Sequence, residues 1–560
     1  MILDARQAGA PRTLQTDIAI IGSGAAGLTL ALELDRMGIA CVVLEAGGDG
    51  FDKAAQEFYR AASISPDDHG PVHMYRRREF GGTTSIWGGR CIPFDPIDFE
   101  DRPWIPHARW PVGYDDVAAH YPRALDICRA GPSLFRAQDG LPGAQAPLVE
   151  GLSSEDVILD RIERFSEPTH FGRAYRELVT ASKTVTVLVN AIAVEVTASE
   201  AGSAVTGVLA KTVSGEAITV TAKTVVVAAG ALETARLLLA SRSAKACGLG
   251  NEKDLVGRFY QSHLEGEGGE IQFKVAPEKV RLDYERSPEG IYCRRYIWLS
   301  PEAQRREKLG GLLIRPSHVS IADPGHGNPV LSAMYVVKDL LVPEYGRRMT
   351  STEREAAGRL GASRGALFAR HMTNVILGSP RLMGFAVNWV RKRNLAKRKL
   401  PSVVLRDARN HYVMDVNAEQ TPNFDSRVHL SDQLDPLGVP RLHVSWRTTD
   451  QDRDMVARAL PLIQRGFATG SAAEVSFGDR TPADYAACLT RIGGHHIGTA
   501  RMGASSAEGV IDRDCQAFDC KGLYVAGAAA FPTSGFANPT LVLVALSLRL
   551  ARHLKDVRPS

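Results

Sequence analysis

The strongest constraint on this chain is a glycine-rich turn set between a strand and a helix near its start. Asp17-Ile18-Ala19-Ile20-Ile21 is a short apolar run of strand type, and it leads directly into Gly22-Ser23-Gly24-Ala25-Ala26-Gly27. Leu28 to Met37 follows with helical spacing and Gly38 stops it. Ala40 to Leu44 reads as a second buried strand, ending in Glu45 and Ala46. This is a βαβ unit with GxGxxG in its proper context. Gly22 permits the tight turn, Gly24 lets a pyrophosphate approach the backbone, and Gly27 lets helix and strand pack closely. The helix N-terminus at Ala25 and Ala26 offers N–H groups and partial positive charge to phosphates. Glu45 is placed to accept hydrogen bonds from a ribose hydroxyl.

Three features favour FAD over a nicotinamide as the dinucleotide. The motif lies at the extreme N-terminus. A strand-rich segment from Val185 to Val220, carrying Ala193 as a candidate adenine contact, leads to Val225-Val226-Val227-Ala228-Ala229-Gly230. A third nucleotide-facing segment, Gly522 to Gly527, lies near the C-terminus. A flavin domain gathered from distant pieces of chain accounts for all three.

Composition narrows the class. With 44% hydrophobic and 23% charged residues, the 560-residue chain is neither disordered nor fibrous. Lys+Arg 67 against Asp+Glu 63 gives +4, which excludes a dedicated nucleic-acid binder. The eight Cys show no CxxC pair and no metal-ligand spacing, so they read as reduced thiols, and no metal is expected. No signal peptide is visible, and the apolar run Leu541–Leu548 is far short of a membrane span, so a soluble cytoplasmic protein is expected.

Beyond the nucleotide motif, the chain resembles the glucose–methanol–choline (GMC) family of FAD-dependent oxidoreductases over most of its length. The resemblance is carried by the Gly81–Gly89 stretch GGTTSIWGG and by Ala228 to Leu239. It continues in Val256-Gly257-Arg258 with His263, and in Glu419-Gln420 with Pro422. The block from His495 to Leu548 is the most specific, reading HHIGTARMG and then GLYVAGAAAFPTSGFANPTLVLVALSLRL. Within the family it looks most like pyranose oxidases and related sugar-oxidising dehydrogenases. The resemblance implies a Rossmann-like FAD domain with an inserted substrate domain, built on an antiparallel sheet with helices. It implies a catalytic pair at His495 and Asn538. Cofactor contacts are implied at the glycine turn and at Gly82, Thr83, Thr84, Ser85, Trp87 and Gly88. Further contacts are implied at Ala229, Gly230, Gly527, Ala528, Asn538, Pro539 and Thr540. One departure matters. Pyranose oxidases carry a histidine before the loop Trp, joined covalently to the flavin; here the position is Ile86, so FAD is expected to be non-covalent.

Oxidising an alcohol removes a hydride from carbon and a proton from oxygen. An imidazole suits the proton near neutral pH, and His495 is the candidate. Asn538 cannot be a base, but its amide can donate to the substrate oxygen; it is also a favourable N-cap for the helix Thr540–Leu550. That helix N-terminus would stabilise negative charge on reduced flavin. His496 reads as structural, Glu233 and Arg236 as an intrahelical pair, and His263 as a neighbour of the flavin or the domain seam.

The FAD domain is expected from 14–90, 181–263 and 495–560. Residues 91–180, with a helix from Asp115 to Arg129, are expected to cover the flavin, and 264–494 to bind substrate. The expected reaction is oxidation of an alcohol, most simply a sugar or glycoside hydroxyl. Electrons would pass to a quinone or protein carrier in preference to dioxygen, because Gly88 stands where pyranose oxidases have a hydroxyl residue. The alternatives are a lyase or isomerase using flavin as scaffold, and an oxidoreductase acting on a non-sugar alcohol. Within 382–399, Arg391-Lys392-Arg393 and Lys397-Arg398-Lys399 follow an apolar helical stretch, the pattern of a peripheral membrane contact or of a solvated helix end.

Overall fold

Apolar runs buried on both faces make the centre of the fold. Ile18 to Ile21, Cys41 to Leu44 and Val225 to Val227 are all buried, the signature of parallel strands covered on two sides. In this computed structural model they lie side by side in an eight-stranded sheet. Its order runs Ile2–Asp4, Val185–Val189, Cys41–Glu45, Thr13–Ile21, Ala217–Val227, Val205–Lys211 and Ile192–Ala198. Leu523–Val525 joins beside Ala217–Val227. The first five strands and Leu523–Val525 are parallel; the other two turn back antiparallel. The structure describes all residues except 66–68, 144–146, 168, 338–360, 362, 403, 408, 490–493 and 558–560. Part of the stretch expected to bind substrate therefore lies outside the described residues.

The helix after the glycine turn spans Ala25–Arg36, starting three residues before its apolar periodicity. It packs against the C-terminal helix Thr540–Asp556. The helix expected from Asp115 to Arg129 is two pieces, Tyr114–Ala118 and Tyr121–Cys128. Pro122 has no N–H to continue the first piece and sits in the opening turn of the second.

A second sheet has six antiparallel strands in the order Ala473–Ser476, Leu264–Phe273, His411–Ala418, Leu312–Ser317, Ile297–Leu299 and Val157–Ile158. The helix Asp450–Ala468 buries Met455, Leu460, Ile463 and Phe467 in the core of this sheet. Two stretches divide differently from the sequence reading. Within 91–180, Phe94, Trp110 and Leu125 enter the nucleotide-domain core, whereas Val157–Ile158 is an edge of the second sheet. Within 264–494, the hairpin Arg427–Leu434 and Pro440–Ser445 pairs with Ser63–Ser65, and its Val428 and Val444 enter the nucleotide-domain core. A hairpin buries its apolar face against whichever core it reaches, and chain position does not choose that core. All eight cysteines are free thiols. Among the described residues no helix is long and apolar enough to cross a membrane.

Candidate active site

The glycine turn is built as its spacing demands. Gly22 has φ +101°, and a Cβ there would lie 2.7 Å from the Ala228 carbonyl oxygen. A Cβ on Gly27 would lie 1.9 Å from the Gly22 carbonyl oxygen. Both positions therefore exclude side chains through packing. Around Gly24, by contrast, nothing lies within 4 Å of where a Cβ would stand, so a ligand can approach the backbone there. The same openness is found at Gly230 and Gly88. A Cβ on Gly82 would meet Gly24 Cα at 2.9 Å, and one on Gly527 would meet Ala26 Cβ at 3.6 Å. The three distant stretches of chain thus border one space.

Three helices start at this space without a capping side chain: Ala25–Arg36 after Gly24, Ala231–Ala240 after Gly230, and Thr540–Asp556 after Pro539. Uncapped helix N-termini suit phosphate and other electron-rich groups. Glu45 is buried and its carboxylate accepts from Ser23 N–H, Ser23 Oγ–H and Gly47 N–H, at 2.9, 2.6 and 2.9 Å. Burial raises its pKa. Ala46 packs with Ile192 and Val194, beside Ala193 on the same strand.

In the 82–88 loop, Thr84 Oγ donates to Gly81 O and accepts from Phe171 N–H, so this hydroxyl secures the loop. Thr83 Oγ accepts from Arg77 N–H, and Trp87 Nε1 donates to Thr169 O. Ser85 Oγ is buried with no hydrogen-bond partner among the described residues. The expected Glu233–Arg236 pair is present at 3.4 Å, widened by Arg76, Arg78 and Asp435 into a buried cluster.

The histidines meet through a short antiparallel bridge. Gln261 and Ile497 exchange backbone hydrogen bonds at 3.0 and 3.1 Å. Two residues outward on each side, the same pleat places His263 opposite His495. Their Nδ1 atoms lie 2.8 Å apart. His263 Nε2 lies 3.2 Å from the Ser534 carbonyl oxygen, which only accepts, so Nε2 carries the proton. Burial lowers the His263 pKa to about 4, which keeps the ring neutral and its Nδ1 bare. His495 must then donate from its own Nδ1, leaving its Nε2 as a lone pair. That Nε2 lies 2.9 Å from the Asn538 amide nitrogen.

Asn538 is not the helix cap that its position suggested. Pro539 occupies the N-cap, and the amide is turned to His495. Asn538 Oδ1 is buried with no hydrogen-bond partner among the described residues. The segment that carries Asn538 is pinned by Asn417 Nδ2 donating to Phe536 O at 2.6 Å. Gln420 steadies the other side: its side-chain oxygen accepts from Ser262 N–H, and its backbone N–H donates to Ser534 Oγ. Glu419 pairs in the interior with Arg102, two contacts at 2.7 Å. His496 points elsewhere, to the Tyr260 hydroxyl at 2.6 Å, and burial lowers its pKa well below the ordinary histidine value.

Sequence reasoning missed Glu265, whose carboxylate lies 3.8 Å from His495 Nδ1. The signal was available: Glu265, in the strand Leu264–Phe273, is two residues after His263, which immediately precedes that strand, and extended backbone puts both on one face. Ligand atoms of His263, Glu265 and His495 lie within 4.8 Å of one another. Two imidazoles sharing one zinc at about 2.0–2.1 Å stand roughly 3.3 Å apart. The 2.8 Å spacing of the two Nδ1 atoms is that of a hydrogen bond.

Residues 422–547, which include both His495 and Asn538, match the family described as GMC oxidoreductase. Residues 17–247 match the family described as FAD dependent oxidoreductase. The C-terminal part of the chain is thus similar to the GMC oxidoreductases, and the N-terminal part to FAD-dependent oxidoreductases.

A C-glycoside 3-oxidase of Arthrobacter globiformis is 30% identical over 25% of this chain and 25% of its own length. The chain thus spans about a quarter of that relative. A 2-methyl-1,2-propanediol dehydrogenase of Mycolicibacterium austroafricanum is 23% identical over 97% of this chain and 96% of its own. Pyridoxine 4-oxidase from Mesorbium loti has the same fold, with TM-score 0.55 and 16% identity over 97% of this chain and 100% of its own. The open backbone at Gly24 and Gly230, the three uncapped helices, and Ser85 Oγ and Asn538 Oδ1, which have no partner among the described residues, fit a bound FAD.

Proposed function

We propose that this chain is a GMC oxidoreductase that oxidises a hydroxyl of a vicinal diol of carbohydrate type, a sugar or glycoside, to a carbonyl. The observation that carries the reading is the relay from Ser534 O through His263 to His495, which leaves His495 Nε2 unprotonated and facing the Asn538 amide. Bound FAD supplies the hydride acceptor at its N5. His495 Nε2 takes the hydroxyl proton, and its Nδ1 proton stays hydrogen-bonded to His263 Nδ1. The imidazolium formed is stabilised by Glu265 at 3.8 Å. The Asn538 amide donates to the substrate oxygen once substrate enters. The substrate class draws on the relatives' names, one a glycoside oxidase and one a 1,2-diol dehydrogenase.

A panel of glycosides, sugars, 1,2-diols and simple alcohols mixed anaerobically with the holoenzyme tests this reading. The expected result is bleaching of the yellow absorbance by glycosides or sugars at rates above those of simple alcohols. Turnover without bleaching would make the enzyme a lyase or isomerase. Faster bleaching by simple alcohols would remove the carbohydrate class. The open backbone at Gly88 supports a quinone or protein carrier as acceptor; air reoxidation slower than dye reoxidation is the expected sign.

FAD is held without a covalent bond, since Ile86 offers no nucleophile. Acid precipitation is expected to leave all the flavin in the supernatant, and yellow colour in the washed pellet would contradict it.

A further inference from the structure

The helix Ser379–Trp389 is apolar on nearly every side, yet none of its residues is buried. Helices of that make-up ordinarily lie in a core. Leu382, Phe385 and Trp389 form a half-buried side, with the last two rings 6.1 Å apart. Met383, Val387 and Val390, at i, i+4 and i+7, form an outward stripe and are 68%, 69% and 45% exposed. Leu377, ending the helix Arg364–Leu377, is 79% exposed, and Leu395, ending the π-helical turn Val390–Leu395, is 77% exposed. Single exposed hydrophobic residues are ordinary; such a series on one stretch marks an interaction surface.

Charge identifies what covers it. From 361 to 402 there are nine Lys and Arg and no Asp or Glu, in a chain whose net charge is only +4. Arg398 bonds to the carbonyls of Arg129 and Phe165, and Arg393 folds back on those of Leu400 and Pro401. These two fasten the end of the segment. Arg391, Lys392, Lys397 and Lys399 are exposed beside the apolar stripe.

We propose that this face docks on an anionic lipid surface, with the helix lying in the interface plane. The stripe would reach the acyl boundary while the four cations meet headgroup phosphate and carboxylate. A second copy does not suit the face, because a two-fold contact would set cations against cations. Nucleic acid does not suit it either, since the outward stripe is aliphatic and thioether, with no ring for base stacking. The docking is independent of the reaction proposed above.

The test is sedimentation of the holoenzyme with vesicles of phosphatidylcholine alone or mixed with phosphatidylserine. Binding is expected only to the mixed vesicles, strongly below about 0.1 M salt and lost near 1 M, where screening acts within about 3 Å. Arg391→Ser and Lys392→Ser are each expected to weaken partition about fivefold. Met383→Ser with Val387→Ser, which leaves the charge of the face unchanged, is expected to abolish it. Flavin absorbance and thermal unfolding of the variants, unchanged from the parent, establish that they are folded. Equal recovery in the supernatant with and without mixed vesicles at low salt would overturn the proposal. So would vesicle binding that survives the Met383/Val387 double variant, because the cations alone would then be adsorbing, as to an acidic protein.

Discussion

Replacing His495 by alanine leaves FAD bound and slows its reduction by substrate about 10²–10⁴-fold, the usual loss when a general base is removed. Stopped-flow bleaching under anaerobic conditions measures it directly. A rate within a few-fold of the parent would take His495 out of the reaction. The relay makes a companion prediction. His263→Leu removes the acceptor that holds the His495 proton on Nδ1, and a smaller loss of about 10–100-fold is expected, with KM little changed. His263 itself is neutral down to about pH 4, so in the parent it contributes no limb to the pH profile above that value. In His263→Leu the limb set by His495 should move, because its tautomer is no longer imposed. A lowered rate with an unmoved limb would reduce His263 to a packing role.

Glu419→Ala is expected to be among the most destabilising single substitutions in the chain. The side chains of Arg102 and Glu419 are both 0% exposed and meet in a two-pronged pair at 2.7 Å. Glu419 also accepts from Gly311 N–H at 2.9 Å. Asp98 stands nearby, but burial, with the Glu419 charge beside it, pushes its pKa well above the ordinary carboxylate range, so Glu419 is the counter-charge of Arg102 in the parent. Removing Glu419 strands a buried guanidinium, which costs about 3–5 kcal/mol. A fall of several degrees in the unfolding temperature is expected. Arg102→Met with Glu419→Leu, which removes both charges and keeps volume, should recover most of it. An unchanged Tm in Glu419→Ala would mean that water reaches the pair. Gln420, the next residue, steadies Ser262 and the segment of Ser534, so loss of Glu419 also loosens the support of His263.

The nucleotide turn was legible because its rules are local. Gly22 acts through its positive φ and Gly27 through a contact with Gly22, five residues away, and a βαβ unit closes over one short stretch of chain. The buried strands were legible for a similar reason: apolar runs with no polar alternation suit only a covered parallel sheet. The family pattern singled out His495 and Asn538, and the fold brings the two together, the amide nitrogen 2.9 Å from the imidazole.

Other features depend on residues that meet only after folding. That Asn538 serves His495 and leaves capping to Pro539 was decided by a segment pinned from Asn417. His263 and Glu265 reach His495 across a bridge joining residues 261 and 497, and no local spacing encodes that register. The division of 91–180 and 264–494 between two cores was likewise settled by which sheet each hairpin met. By itself the sequence determined the dinucleotide turn, the buried strands and the identity of the paired groups, since these rest on backbone geometry and periodicity. Only the tertiary structure decided which nitrogen of His495 carries the proton, because the tautomer is set by a carbonyl at Ser534 acting through His263, and hydrogen bonds between distant parts of the chain exist only once the chain has closed on itself.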